Sequence, residues 1–163
     1  MSAGAAPLPP LLVLTGPTGS GKSDLALELS DYLVATLPVE IVSVDSVQVY
    51  RGMDIGSAKP GAEARARVPH HLIDITTPDQ PFTAGEYSRQ ARAKLREIAG
   101  RGKLPIVTGG TGLYLRALTE GLFAGPARQV GLRERLTRSR ERHGETWMRM
   151  SLREIDQLFL RGR

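Results

Sequence analysis

Three observations predict an α/β fold, a parallel sheet flanked by helices. Short apolar or β-branched runs alternate with longer segments of helical period, the order that builds a parallel sheet. The first run, residues 11–14, leads through Gly16-Pro-Thr-Gly-Ser-Gly-Lys-Ser23 into a periodic segment. Strand, glycine loop and helix in that order are the setting in which such a loop binds phosphate. A second glycine junction, Gly109-Gly-Thr-Gly112, follows the run 104–108 in the same way. Together these predict a P-loop NTPase-like core over residues 11–125, after a flexible leader at 1–10 and before a basic helical segment at 126–163.

Each element has its own signal. The opening run, Leu-Leu-Val-Leu, is bounded by turn residues and reads as a buried strand. The helix after the loop spans about residues 22–37. It carries Leu25, Leu27, Leu29, Tyr32 and Leu33 on a broad apolar face, Glu28 and Asp31 outside, and Pro38 as its stop. Residues 40–44 are short and β-branched, a second buried strand. Residues 46–60 have three Gly or Pro breaks and no sustained period, so they read as loop with at most a short helical turn. A connection this long in a compact domain points to function, and Tyr50, Arg51 and Lys59 suit a substrate-facing loop.

Residues 61–68 are weakly helical, ended by Pro69, and His71-Leu-Ile-Asp-Ile75 alternates as a third strand. His70 and His71 are neighbours whose side chains point opposite ways in extended chain, so they read as packing and capping groups, not a metal pair. Thr83-Ala-Gly-Glu86 is a capping box that opens a helix to about residue 99, closed by Gly100 and Gly102. Residues 104–108 form the fourth strand, 113–118 a short helix and 121–126 a linker. A strongly charged helix over 129–142 breaks at Gly144 and resumes over 146–160. There Met148, Leu152, Ile155 and Phe159 form a stripe beside Trp147 that suits a core or helix contact.

Composition narrows the classes of function. A chain of 163 residues, 40% hydrophobic and 24% charged, suits one globular α/β domain with a proper core. It contains no Cys, which excludes a disulfide framework or a thiolate metal site and suits a reducing, cytoplasmic setting. No apolar run approaches a membrane span, and residues 1–10 lack the Lys or Arg of a signal peptide. The net charge of +5 lies in the last quarter: residues 126–163 hold ten Arg against five acidic residues, while residues 1–125 are balanced. Such asymmetry suits a nucleic-acid-facing segment.

The candidate chemistry begins in the first glycine loop. Gly16, Gly21, Lys22 and Ser23 fit G-x-x-x-x-G-K-[ST]. The whole stretch Gly16, Pro17, Thr18, Gly19, Ser20, Gly21, Lys22 and Ser23 is therefore the candidate diphosphate- or nucleotide-binding site. Glycines let backbone N–H groups converge on an anion at a helix N-terminus, where the helix dipole also favours negative charge. Lys22 adds a point charge, and Ser23 is the candidate Mg2+ ligand. Asp45 sits just past the second strand, on the rim where ligands gather in open α/β sheets. Thr111 offers a hydroxyl in the second junction. Strand four ends in Thr108, where an ATPase would carry the acidic residue that holds metal-bound water.

Five blocks taken together resemble the tRNA dimethylallyltransferase (tRNA isopentenyltransferase) family in order and spacing. They are residues 16–23, Ser43-Val-Asp-Ser46, Tyr50-Arg-Gly-Met-Asp-Ile-Gly-Ser-Ala-Lys-Pro60, Pro69-His-His-Leu-Ile-Asp74 and Gly109-Gly-Thr-Gly-Leu-Tyr114. The resemblance implies transfer of a dimethylallyl group from dimethylallyl diphosphate to the N6 amine of the adenine 3′ of the anticodon in tRNA. It implies that the glycine loop and Mg2+ hold the diphosphate, that Asp45 is the general base, and that Thr111 bonds near the reacting amine and phosphate. Asp45, Ser46, Val47 and Gln48 would read the adenine, flipped from its stack, and Arg133 would contact the tRNA. The implied partners are the anticodon stem-loop and dimethylallyl diphosphate, bound by a monomer without a membrane.

Family members continue well past this length and the match fades after about residue 145. The expectation is a chain truncated at its C-terminus, lacking part of the donor site and of the tRNA channel. Three other readings stand beside this one: a small-molecule or nucleotide kinase, an adenylate isopentenyltransferase acting on a free nucleotide, and a remnant that binds diphosphate or RNA without turnover. The missing acid on strand four argues against the kinase, and the basic tail favours tRNA over a free nucleotide.

Overall fold

Four of the short runs become strands of one parallel sheet: β1 Leu12–Thr15, β2 Val39–Val44, β3 His70–His71 and β4 Leu104–Gly109. Their order is β1-β4-β2-β3. Helices α1 Lys22–Leu33, α2 Ala62–Arg67, α3 Ala84–Gly100 and α4 Gly112–Thr119 surround it. The computed structural model describes residues 7–122 and 130–161. It divides into two compact units, Met1–Phe123 and Ala124–Arg163. The second unit contains α5 Val130–Arg161, interrupted at Gly144, whose φ of 82° is non-helical.

The interior strand β2 is buried along all six residues, as a strand covered on both faces must be. On one face Val39, Ile41 and Ile106 meet Ala26 and Val68, with Leu27, Leu29 and Leu33 of α1 packed around them. On the other, Val42, Val44 and Val107 meet α3 and α4 through Tyr87, Ala91, Leu95, Ile98, Tyr114 and Leu118. Tyr87, Ala91, Leu95 and Ile98 recur at helical spacing and are fully buried, which is why α3 seals that face. Thr83 caps α3 as expected, its Oγ1 accepting from the Glu86 N–H at 3.1 Å. The Glu86 carboxylate does not reach back. It turns along the helix to Arg89 and Gln90.

Several expectations change. The first helix ends at Leu33, four residues early, in a turn where Thr36 N and Leu37 N both donate to Leu33 O. Its apolar face is narrower than the sequence suggests: Tyr32 is 85% exposed and Leu25 46% exposed. The sheet covers only the side carrying Leu27, Leu29 and Leu33. The third strand stops after His71, because Leu72 and Asp74 adopt positive φ of 62° and 56° and turn the chain. Residues 74–76 instead bond the 46–60 loop, with Ile75 N donating to Val49 O and Arg51 N to Thr76 O. The leader is not free throughout, since Leu8 packs on the main core; residues 1–6 lie outside the described residues. In the predicted stripe of the last helix, Met148 is half-buried and Leu152 exposed, while the side chains of Ile155 and Phe159 lie outside them. Among the described residues, no helix is long and apolar enough to cross a membrane.

At the N-terminal end of β2 a buried carboxylate ties three segments together. Glu40, with its side chain 4% exposed, accepts from His71 Nε2 at 2.6 Å, Arg101 at 2.7 Å and Lys103 at 2.8 Å. Burial alone would push this carboxyl up. Hydrogen bonds from Lys103 and His71, with the charges of Lys103 and Arg101, outweigh it and hold the pKa at about 2. A depressed carboxylate stabilises the fold above its unfolded pKa and loses that effect as pH falls through the folded value. The advantage of wild type over Glu40→Gln is therefore expected to be about 3 kcal/mol at neutral pH. It should shrink below pH 4.5 and vanish near pH 2, as followed by urea unfolding at a series of pH values.

Candidate functional site

The loop after β1 and the turns after β2 and β4 meet on one rim. Because β4 lies between β1 and β2, the Gly109–Gly112 turn stands between the glycine loop and Asp45. Their approach is close. A Cβ at Gly109 would lie 2.2 Å from Val44 O, and one at Gly110 would lie 3.4 Å from Gly16 O. Gly109 also holds φ at 155°, so only glycine fits there. Thr111 then stitches the two turns. Its N–H donates to Val44 O at 3.2 Å, its Oγ1 accepts from Ser46 N at 3.0 Å, and its hydroxyl faces Ser46 Oγ at 3.3 Å.

In the glycine loop, Gly19 and Gly21 take φ of 80° and 78°, and Gly21 caps α1 from the left-handed region. Lys22 folds over the loop, its Nζ donating to Pro17 O at 2.6 Å and to Ser20 Oγ at 3.3 Å. Asp45 uses Oδ1 to accept from Val47 N at 2.8 Å and Gln48 N at 3.2 Å. That turn pins the carboxylate at the strand end. Beneath it, the fully buried Tyr87 donates from its hydroxyl to Ser43 O at 2.9 Å, which ties the end of β2 to α3.

These groups wall one cleft of about 720 Å³. Of the residues singled out in the sequence, Gly16, Pro17, Thr18, Gly19, Gly21, Lys22, Ser23, Asp45, Ser46, Val47, Gln48 and Thr111 all line it. Ser20 belongs to the same loop, bonded to Lys22. Arg133 is exposed on α5, in the second unit. The cleft continues along the α1 side of the sheet past Thr108, Ser43 and Ile41 to His70 and Ile73. The sequence reading missed this floor, although the alternation of β2 puts 41, 43 and 45 on one face. His70 is held there by its Nδ1–H, which donates to Val68 O at 2.7 Å. Burial, with Arg65 and His71 nearby, lowers its pKa against the opposing pull of that bond.

Two residues of the cleft lining, Gln48 and Lys59, also have their polar groups bonded within the protein. Gln48 is a brace: its Oε1 accepts from Ser43 Oγ at 2.9 Å, and its Nε2 donates to Ser57 O and Ala58 O at 3.2 and 2.9 Å. Both amide hydrogens are committed, which leaves a carbonyl lone pair for anything else. Lys59, with its side chain 5% exposed, donates to Tyr50 O, Asp54 Oδ1 and Asp74 Oδ1 at 2.6–2.8 Å. Burial would lower this ammonium, but the hydrogen bonds to Asp54 and Asp74 prevail and hold its pKa above the ordinary value. Arg51 Nε donates to Asp74 O. The 46–60 segment is thus an ordered loop built on a buried cation, and only part of it faces the cleft.

Fold and cleft define a parallel α/β protein in which a glycine loop, an aspartate and a second glycine turn share one rim. Comparison with known proteins narrows this. The model of the IPP transferase family matches residues 48–161. The tRNA dimethylallyltransferase of Koribacter versatilis is 55% identical over 150 residues, 92% of this chain and 48% of that protein. The solved tRNA isopentenylpyrophosphate transferase of Bacillus halodurans is 38% identical with a TM-score of 0.66, over 91% of this chain and 48% of that one. A eukaryotic dimethylallyltransferase acting on tRNA is 29% identical with a TM-score of 0.61, over 74% of this chain and 28% of that one. The chain belongs to the IPP transferase family, and it spans about half the length of the curated relatives it matches.

The close approach at Gly109 gives a direct test of how the rim is built. Gly109→Ala is expected to destabilise the fold by about 2–4 kcal/mol, since backbone and not a mobile side chain meets the new methyl. Urea unfolding of the two proteins measures it.

Proposed function

We propose that the cleft is the donor and acceptor site of a tRNA prenyltransferase. The reaction moves a dimethylallyl group from dimethylallyl diphosphate to the N6 amine of the adenine 3′ of the anticodon. The single observation that carries this reading is the shared wall: Lys22 and the glycine loop line the same cleft as Asp45 and Thr111. An anion seat and a pinned carboxylate on one rim suit a reaction in which an anion leaves while a proton is removed.

The chemistry follows from those groups. The adenine N6 forms a bond to C1 of the allylic group, the C1–O bond breaks, and diphosphate departs with the electron pair. Lys22 and the loop N–H groups stabilise the charge that grows on the leaving oxygens. An adenine amine is a weak nucleophile because its lone pair is delocalised, so removal of its proton matters. Asp45 accepts that proton; its Oδ1 is held by two backbone N–H groups, which leaves Oδ2 for the amine. Thr111, bonded to Ser46, keeps the turn after β2 beside the turn after β4.

Among the described residues, no group of three or more His, Cys, Asp or Glu could hold a metal. The Ser23 hydroxyl fits Mg2+ of the kind bound mainly through phosphate oxygens and water. Mg2+ bound there would add positive charge beside the leaving diphosphate. A kinase reading asks for an acidic residue at the end of a core strand to hold Mg2+, and strand β4 offers Thr108 before its glycines. The ten Arg of residues 126–163 suit an RNA acceptor better than a free nucleotide.

Two substitutions test the division of labour. Lys22→Ala is expected to weaken pyrophosphate binding roughly tenfold to a hundredfold, the worth of a charge-assisted hydrogen bond, measured by calorimetry. An unchanged affinity removes the loop from diphosphate binding. Asp45→Asn is expected to bind pyrophosphate and an anticodon stem-loop as wild type does, and to lose about 10²–10⁴ in the rate of labelled dimethylallyl transfer. Equal rates, in this chain or at the matching aspartate of a full-length relative, would take Asp45 out of the mechanism.

A further inference from the structure

One residue of the cleft wall has a polar atom that the protein leaves unsatisfied. Thr108 Oγ1 is sealed from solvent and has no hydrogen-bond partner among the described residues, although Thr108 lines the cleft that Lys22 and Ser23 also line. Buried hydroxyls are almost always bonded, and an orphan asks for an explanation. Its place in the sheet supplies one. Thr108 is paired with Leu14 of β1 on one side and Ser43 of β2 on the other, so it sits one strand over from the glycine loop, near the end of the strand. It shares a face of β4 with Ile106, which packs against Ala26 of α1. Its side chain therefore lies on the side of the sheet from which α1 presents Lys22 and Ser23. Neighbouring hydroxyls have partners: Ser43 Oγ donates to Gln48, and Thr111 Oγ1 bonds Ser46. Thr108 alone among these three is left open.

In P-loop NTPases the loop's Ser or Thr and a separate aspartate hold the Mg2+. Here β4, the strand beside β1, carries a neutral hydroxyl at Thr108 just before its glycine turn. We infer that Thr108 Oγ1 hydrogen-bonds a water of the Mg2+ held at Ser23 together with a diphosphate, an inference that rests on the proposed diphosphate site. A hydroxyl suits that task where a carboxylate would not be needed. Its oxygen can accept from a coordinated water, whose own lone pair is on the metal, and it adds no negative charge beside an anion that has to leave intact. The same arrangement accounts for the orphan: rotation about χ1 turns the hydroxyl toward the cleft when its partner arrives with the ligand.

Calorimetric titration of this chain with pyrophosphate, with and without Mg2+, tests the inference on wild type, Thr108→Val and Thr108→Ser. Valine keeps the shape and removes the hydroxyl, while serine keeps the hydroxyl. With Mg2+, Thr108→Val is expected to bind about tenfold more weakly, the worth of one hydrogen bond of 1.4 kcal/mol, and Thr108→Ser close to wild type. Without Mg2+, all three should agree within about twofold. Without ligand, Thr108→Val should unfold at higher urea than wild type, because an unsatisfied buried hydroxyl has been removed. Equal affinity of wild type and Thr108→Val for magnesium pyrophosphate overturns the inference, and so does an equal loss with and without the metal. If wild type itself fails to bind magnesium pyrophosphate, the diphosphate site falls, and this inference falls with it.

Discussion

The backbones of β2 and β4 touch at Gly109, where no side chain has room to exist. Everything on the rim depends on that contact. With β4 drawn against β2, the turn after β4 can reach Val44 O through Thr111 N–H and Ser46 through the Thr111 hydroxyl. On its other side, Gly110 comes up to Gly16 O. The glycine loop, the second glycine turn and the Asp45 turn are thereby joined into one continuous wall, though they lie far apart along the chain. A bulkier residue at 109 would have to push the strand ends apart, and the three groups would no longer share a cleft.

Rigidity beneath the rim comes from buried polar contacts placed where strands end. Tyr87 anchors the last turn of β2 through Ser43 O and stacks on Tyr114 with ring centres 4.4 Å apart. At the other end of β2, Glu40 gathers His71, Arg101 and Lys103. Lys59 does for the 46–60 loop what Glu40 does for the sheet: a buried charge with several partners that fixes segments otherwise lacking regular structure. The outcome is a cleft whose floor and one wall are stiff, with Lys22 bonded to acceptors of its own loop.

The architecture of the chain agrees with its membership in the IPP transferase family and with its structural likeness to solved tRNA isopentenylpyrophosphate transferases. The charge is unevenly distributed between the two units. The first 125 residues, balanced in charge, contain the cleft, and the Arg surplus lies beyond them. Glu145 and Arg149 pair across one turn of α5, and His143 stacks beside Trp147, while Arg133 stays exposed on the same helix.

What the sequence determined by itself is local. The spacing of Gly16, Gly21, Lys22 and Ser23 dictates a loop at a helix start, Thr83 and Glu86 dictate where α3 begins, and Gly144 dictates a break in α5. These follow from backbone geometry within a few residues, which composition and period reveal directly. Asp45 and Thr111 were legible as strand-end residues, but their common cleft was not, because it requires β4 to lie between β1 and β2. The bonding partners of Gln48 and Lys59, the early end of β3 and the exposure of Tyr32 were likewise decided only in the folded structure. A sequence pattern records how apolar a face is without naming what will cover it, and it does not record which polar groups a folded loop brings together. The same reason hides Thr108: a threonine in a strand looks ordinary until its neighbours are seen to leave its hydroxyl unbonded.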